Sequence, residues 1–177
     1  GLTVDGIVAD NGHNKAAIIF GNLLFPSIKL TKKDEERITN NINGIGAKAT
    51  CVFSEYFKVE VLDMKRKKLY KQINRNNLSI IEKPEIIDIS KDEKYKNKKS
   101  YTKITFKPDF KRFGLEEIPD DFIKMLHKKA IDISFCTRKD VKIYFNNELI
   151  NIKSFEDYIN LYYDNFYINN LQYYMLL

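Results

Sequence analysis

The sequence predicts an α+β fold, with one mixed, mostly antiparallel sheet and helices packed on one of its faces. Three observations lead there. Apolar and charged residues alternate in Phe57-Lys-Val-Glu-Val61 and again over residues 101–106, the period of strands with one buried side. Phe122, Leu126, Ala130 and Ile133 recur at the spacing of a helix with one apolar stripe. The order of such segments is helix, loop, helix, several strands, helix, hairpin, helix, which suggests a layered arrangement.

Taken in order, residues 14–24 read as a short helix with Ala17, Phe20 and Leu24 on one face. Residues 27–37, dense in Lys and acidic side chains, read as a mobile loop. A glycine-containing motif then runs into a helix over residues 47–53. After the strand 57–61, residues 67–73 and 78–81 are weaker strand candidates in a meander. Residues 91–100 are almost wholly polar and read as a solvated hairpin loop. The strand 101–106 ends at Pro108-Asp109. Pro119 and two aspartates open the next helix, because acidic side chains complement its unpaired N–H groups. Residues 141–145 form a strand, Asn146-Asn147 a tight turn, and residues 149–152 the returning strand. Ser154-Phe-Glu-Asp157 resembles a capping box and opens a last helix through Tyr162. Beyond Tyr163 the Tyr/Asn-rich tail has no period. No repeat and no internal domain boundary is visible.

Composition narrows the function classes. At 177 residues and 44% apolar, the chain can bury one core. With 12 Phe and 11 Tyr it is not disordered throughout. Cys51 and Cys136 lie far apart without ligand spacing, which argues against a zinc or disulfide scaffold and fits a reducing, intracellular compartment. The longest apolar run, residues 16–25, is too short for a bilayer and is interrupted by Gly21 and Asn22, and no signal peptide is visible. A soluble chain with no membrane partner is expected. The net charge of +6 admits a nucleic-acid surface. Seventeen Asn and abundant Ile and Tyr favour a blander source, an A+T-rich coding bias. The start at Gly1 rather than Met reads as a processed product or a fragment.

The segment with the most chemistry is Asn43-Gly-Ile-Gly-Ala-Lys48. Glycines let the backbone turn tightly and approach a ligand closely. The helix that follows offers free N–H groups and a dipole to an anion. Lys48 adds a positive charge in the first helical turn. The pattern is neither a P-loop nor a dinucleotide fingerprint. Chemistry alone leaves two readings open, a phosphate-binding loop and a helix-capping turn.

The wider run from Thr39 to Ser54, Thr-Asn-Asn-Ile-Asn-Gly-Ile-Gly-Ala-Lys-Ala-Thr-Cys-Val-Phe-Ser, resembles the ATPase domain of type IIA DNA topoisomerases of the eukaryotic and viral branch. There the motif reads Thr-Gly-Gly-x-Asn-Gly-x-Gly-Ala-Lys and continues to Asn-x-Phe-Ser. Bacterial gyrases usually have His at the place of Asn43. Ile18-Ile-Phe-Gly-Asn-Leu-Leu24 looks like that family's helix before the ATP lid. Thr102-Lys-Ile-Thr-Phe-Lys-Pro-Asp-Phe110 matches a strand ending in Phe-x-Pro-Asp. Lys129-Ala-Ile-Asp132, residues 141–145, the hairpin Asn146-Asn-Glu-Leu149 and residues 155–162 follow in the family's order.

The resemblance implies a GHKL-type ATPase fold, with residues 1–163 as its C-terminal half and residues 164–177 as a tail. It implies ATP and Mg2+ as cofactors, DNA as the partner of the parent enzyme, and a homodimer closed through the ATPase gate. It also implies an intracellular location, nuclear in a eukaryote and otherwise host cell or cytoplasm. Carried over position by position, Asn41, Asn43, Gly44, Ile45, Gly46 and Ala47 would line the phosphates, Lys48 would neutralise them, and Ser27 in the lid would touch the nucleotide. Departures lie in the same site: Asn40 and Asn41 replace paired glycines, Ile42 replaces an Arg, and Ile28 an Asn. Asn tolerates left-handed backbone best among non-glycine residues.

No catalytic or metal-binding residue is expected here. The family's general base, a Glu, and its Mg2+-holding Asn lie on a helix upstream of this stretch, and hydrolysis needs both. Asp10-Asn11-Gly12 reads as a polar turn, His13 and His127 as surface or helix-edge residues, and Tyr173 and Tyr174 not as a DNA-cleaving nucleophile. The leading reading is a fragment of an ATP-dependent DNA topoisomerase. The alternatives are a degenerate, non-hydrolysing nucleotide-binding or subunit-interaction remnant, and an unrelated basic nucleic-acid-binding module.

Overall fold

The computed structural model describes residues 45–152 and 154–162. They fall into two compact units, divided between Leu115 and Glu116, a boundary that the sequence pattern does not mark. The helix expected over 14–24, the loop over 27–37 and the tail beyond Tyr163 lie outside the described residues.

The first unit opens with helix α1 (Gly46–Val52), followed by β1 (Ser54–Asp63), β2 (Lys68–Arg75), β3 (Ile80–Ile81), β4 (Glu85–Asp88) and β5 (Tyr101–Pro108). All pairings are antiparallel, and β1 lies between β2 and β5. The far edge of β2 is shared: β3 pairs with Asn74 and Arg75, β4 with residues 68–71. β4 was not legible in the sequence. Its burial pattern is exposed throughout, so it has no alternation to read.

Segment 91–100 is solvated as expected, but it does not close a hairpin. β4 and β5 lie on opposite sides of the β1–β2 pair, so the chain between them crosses the end of the sheet. Two buried clusters result. On one face Phe57, Val59 and Val61 of β1 pack with Tyr70 of β2 and Cys51 of α1. Strand alternation sends Leu62 and Leu69, which face each other across the ladder, to the opposite side. There they bury Ile89 of the crossing segment, flanked by Met64, Tyr95 and Tyr101.

In the second unit α2 (Asp120–Cys136) precedes the hairpin of β6 (Ile143–Phe145) and β7 (Glu148–Ile150), then α3 (Phe155–Ile159). Pro119 caps α2 and Asp120 and Asp121 fill its first turn, as the sequence predicts. Asn146 and Asn147 both take left-handed φ, 49° and 68°, the conformation a two-residue hairpin turn requires. At Ser154 both bonds of the capping box form, with Asp157 in the acidic position. The hairpin is tied to α2 by the Ser134 hydroxyl, which donates toward the carbonyls of Ile150 and Ile152 at 3.2 Å each. Phe135 stacks on Tyr158 of α3 with ring centroids 5.0 Å apart. The stripe Phe122–Leu126–Ile133 remains 40–52% exposed, so the apolar face read from the sequence finds no cover among the described residues. No helix among them is long and apolar enough to cross a membrane.

Candidate phosphate-binding site

Of the residues singled out for phosphate contact, Ile45, Gly46, Ala47 and Lys48 are described, and they stand consecutively at the start of α1. Asn41, Asn43, Gly44 and Ser27 lie outside the described residues, as do Asn40, Ile42 and Ile28. Ile45 is the N-cap and already helical, with φ −87° and ψ −35°. Its carbonyl accepts the first helical bond from Ala49 N–H at 2.8 Å. Its side chain offers no acceptor, and no acidic residue occupies the first turn. The helix therefore opens with its N–H groups and positive dipole end unopposed by any side chain of its own first turn.

The expectation that these glycines serve a tight turn does not hold at Gly46. It is helical, and an added Cβ would meet no atom within 4 Å. Neither turn geometry nor packing demands glycine there.

Lys48 and Cys51, one turn apart, are the two buried residues of α1; Lys48 is only 2% exposed. Burial pushes its ammonium below the ordinary lysine pKa, because the charged form loses hydration. Cys51 shifts the other way: burial raises the thiol, and a hydrogen bond from Asn74 Nδ2 at 3.4 Å partly offsets it.

Beneath Cys51 runs a row of buried polar side chains that sequence reading missed. Tyr70, Gln72 and Asn74 occupy alternate positions of β2, opposite Val61, Val59 and Phe57. The Tyr70 hydroxyl donates to Gln72 Oε1 at 2.7 Å, and burial raises its pKa strongly. The signal was the alternation Tyr-x-Gln-x-Asn, which reads as a polar face and is a buried one. Asn74 Oδ1 is buried without a hydrogen-bond partner.

The C-terminal end of α1 is held by two residues that are also bonded to each other. Asn77 Nδ2 donates to Val52 O at 3.0 Å and to Asp109 Oδ2 at 3.1 Å. Asp109 N–H donates to Phe53 O at 2.9 Å. The Asp109 carboxylate also caps the 3-10 turn Phe110–Phe113 through Arg112 N–H and pairs with the Arg112 guanidinium at 3.6 Å. Asp109, matched above to the family's Phe-x-Pro-Asp strand, is thus a structural clamp. Residue 55 forms a bulge where β1 leaves the helix: Ser54 faces Pro108 but Tyr56 faces Lys107.

The same order of elements recurs in known proteins. The probable DNA topoisomerase 2 of Dictyostelium discoideum is 45% identical over 146 residues, covering 82% of this chain and 9% of that protein. DNA topoisomerase 2 of Arabidopsis thaliana is 40% identical over 145 residues, with the same two coverages. The ATPase region of Saccharomyces cerevisiae topoisomerase II, solved with dexrazoxane bound, superposes with a TM-score of 0.78 at 33% identity. That superposition covers 92% of this chain and 40% of the yeast one. The chain belongs to the type II DNA topoisomerase family. It spans about a tenth of the curated relatives' length and matches part of the yeast stretch solved as an ATPase region. No protein-family model matches it.

Proposed function

We propose that this chain is the stretch of an ATP-dependent type IIA DNA topoisomerase that carries the phosphate-binding loop, and that the longer protein uses ATP to drive one DNA segment through another. The observation that carries the reading is the opening of α1. Among the described residues its first turn meets no capping side chain, and a buried lysine stands three residues past the N-cap. In a poorly hydrated environment an ammonium interacts with an anion far more strongly than at the surface. Gly46, which needs no glycine for its own geometry, keeps side-chain atoms away from a ligand approaching that end.

The donor set fits the phosphates of ATP. Ile45, Gly46, Ala47 and Lys48 would hold them, with Asn41, Asn43, Gly44 and Ser27 completing the site. Bound ATP supplies the energy of phosphoanhydride cleavage, and these residues bind and orient it. Among the described residues no three His, Cys, Asp or Glu side chains stand together as a metal site, and the resemblance places the Mg2+-holding Asn on an upstream helix, so no step is assigned to Mg2+ here. In this reading the longer protein is intracellular, acts on DNA and works as a dimer. Identity of 40–45% across some 145 residues does not favour a degenerate remnant.

The test is ATP-dependent relaxation of supercoiled plasmid by the longer protein, compared with its Lys48→Met variant. Loss of a charge-assisted phosphate contact predicts at least a tenfold weaker response to ATP. Unchanged relaxation, or relaxation that needs no ATP, would defeat the reading. The 177-residue chain alone should show no magnesium-dependent ATP turnover, because no residue in it matches the family's general base. Measured turnover would mean that the base has been misplaced.

A further inference from the structure

We propose that the turn 64–68 and the crossing segment 91–100 together form a surface that grips the phosphate backbone of duplex DNA. The charge distribution is the first support. These 15 residues hold nine cations (Lys65, Arg66, Lys67, Lys68, Lys91, Lys94, Lys96, Lys98, Lys99) against two acids, a net charge of +7. The whole chain carries +6, so the other 162 residues are net −1. A general coding bias would spread lysine along the chain. Lysine does occur along the whole chain, but eight of the 25 fall in these two short segments, which lie more than 20 residues apart in sequence. Only there does it so outnumber the acids.

The fold brings those segments together. Ile89 N–H donates to the Lys67 carbonyl at 2.9 Å, and Met64 N–H to Ser100 Oγ at 3.0 Å. Met64 and Lys67 from the turn line one shallow cleft with Lys91, Tyr95 and Lys96 from the crossing segment, and the carboxylates Asp92 and Glu93 share it. Beneath it, Leu62, Leu69 and Ile89 are buried with Met64, Tyr95 and Tyr101 packed against them. A loop that served only as a solvated connection would need no such anchor. The cations are thus presented on a fixed base, which lowers the entropy lost when they meet a ligand.

Most of this charge is available. Asp63 holds Arg66 and Glu93 holds Lys96, at 3.2 and 3.1 Å. Lys94 and Lys98 lie over the Tyr95 ring, 5.8 and 5.3 Å from its centre. Lys65, Lys67, Lys91 and Lys99 are exposed, and no ion pair among the described residues neutralises them. Clustered exposed lysines that outnumber the carboxylates among them bind phosphate backbones by releasing condensed counterions. Naming DNA among polyanions rests on the function proposed above; the surface itself does not.

The experiment is a fluorescence-anisotropy titration of a mixed-sequence 25-base-pair duplex with the 177-residue chain, from 50 to 200 mM salt and without nucleotide. Because no nucleotide is present, the result is independent of the phosphate loop. Changing Lys65, Lys67, Lys91 and Lys99 together to Gln should weaken binding at least tenfold at 50 mM salt. It should also flatten the slope of log K against log salt by up to about 3.6, roughly 0.9 per lost phosphate contact. The four Lys→Arg changes should restore both, which shows that charge rather than folding was lost. Changing Lys83, Lys129, Lys139 and Lys142 to Gln removes the same charge elsewhere and should leave most of the affinity. Equal loss from the two Gln sets would overturn the proposal, since net charge alone would then explain binding. So would a poly-glutamate peptide bound as tightly as the duplex, which would point to an acidic protein segment instead.

Discussion

Asn77 is the best place to test how α1, the helix that opens with residues 45–48, is held. It sits at φ +59° and spends both amide protons, one on the Val52 carbonyl and one on the Asp109 carboxylate. Asn77→Gly removes both bonds and keeps the left-handed backbone at little steric cost. A hydrogen bond to a charged acceptor contributes about 1.5–3 kcal/mol and a neutral one about 1. The site is only part-buried, so the sum should be discounted to a loss of about 2–3 kcal/mol. Asn77→Ala loses the same bonds and adds about 1 kcal/mol of left-handed strain. Asp109→Ala removes the carboxylate from the other side, and the double variant should reveal a coupling of about 1–2 kcal/mol. Urea unfolding of the 177-residue chain at pH 7, followed by far-ultraviolet circular dichroism, reads all four. Asn77→Gly within about 0.5 kcal/mol of the parent, or a coupling below that, would refute the clamp.

Three further outcomes follow from single groups. Tyr70 and Cys51 both hold their protons more tightly when buried, so above pH 9.0 for the thiol and 10.0 for the phenol the folded state binds more protons than the unfolded. Stability therefore falls as pH rises through that range, and Tyr70→Phe should remove the step that begins at pH 10. At pH 7 the same change should cost about 1–2 kcal/mol by leaving Gln72 Oε1 without its donor; an unaltered alkaline limb in pH-dependent urea titrations would contradict this. Gly114 closes the 3-10 turn at φ +67° with open space around it, so Gly114→Ala should cost about 1 kcal/mol from backbone strain alone, measured by thermal unfolding. Ser154→Ala breaks one arm of the capping box and should speed amide hydrogen exchange at Asp157 about fivefold, equivalent to about 1 kcal/mol; unchanged exchange there would dismiss the cap.

Legibility followed local physics. β1, α2, the Asn146-Asn147 turn and the Ser154 capping box were readable because each is fixed by chemistry within a few residues: alternation, start signals, left-handed tolerance, reciprocal bonds. β4 and the crossing of segment 91–100 were not, because both depend on which edge of β2 a strand reaches, a fact of long-range pairing that no window contains. The same limit hid the basic surface. Residues 91–100 read alone as a solvated loop and residues 67–73 as a weak strand, and only the sheet end brings their lysines together. In the candidate site, sequence placed Ile45, Gly46, Ala47 and Lys48 at a helix start but gave no sign that Lys48 is buried, since a lysine in a first turn is ordinarily solvated.

The two motifs behind the family resemblance are far apart in sequence and belong to one device. Residues 45–48 open α1, and Asp109, the last position of Phe-x-Pro-Asp, closes on its far end together with Asn77. Seven helical residues span roughly 10 Å, so the opening end and the clamped end are a helix length apart. A short helix has few internal bonds and little intrinsic stability, so its orientation is set by what holds its ends. At the finish the holders are the Asn77 amide on the Val52 carbonyl and the Asp109 main-chain N–H on the Phe53 carbonyl, with the Asp109 carboxylate fixing Asn77 in turn. Clamping only the second end fixes where the first one points, which is the condition for main-chain donors to be aimed before a ligand arrives. If α1 opens onto phosphates as proposed, Asp109 needs no catalytic role to matter to nucleotide binding, and its loss should weaken phosphate affinity without removing any proposed phosphate contact.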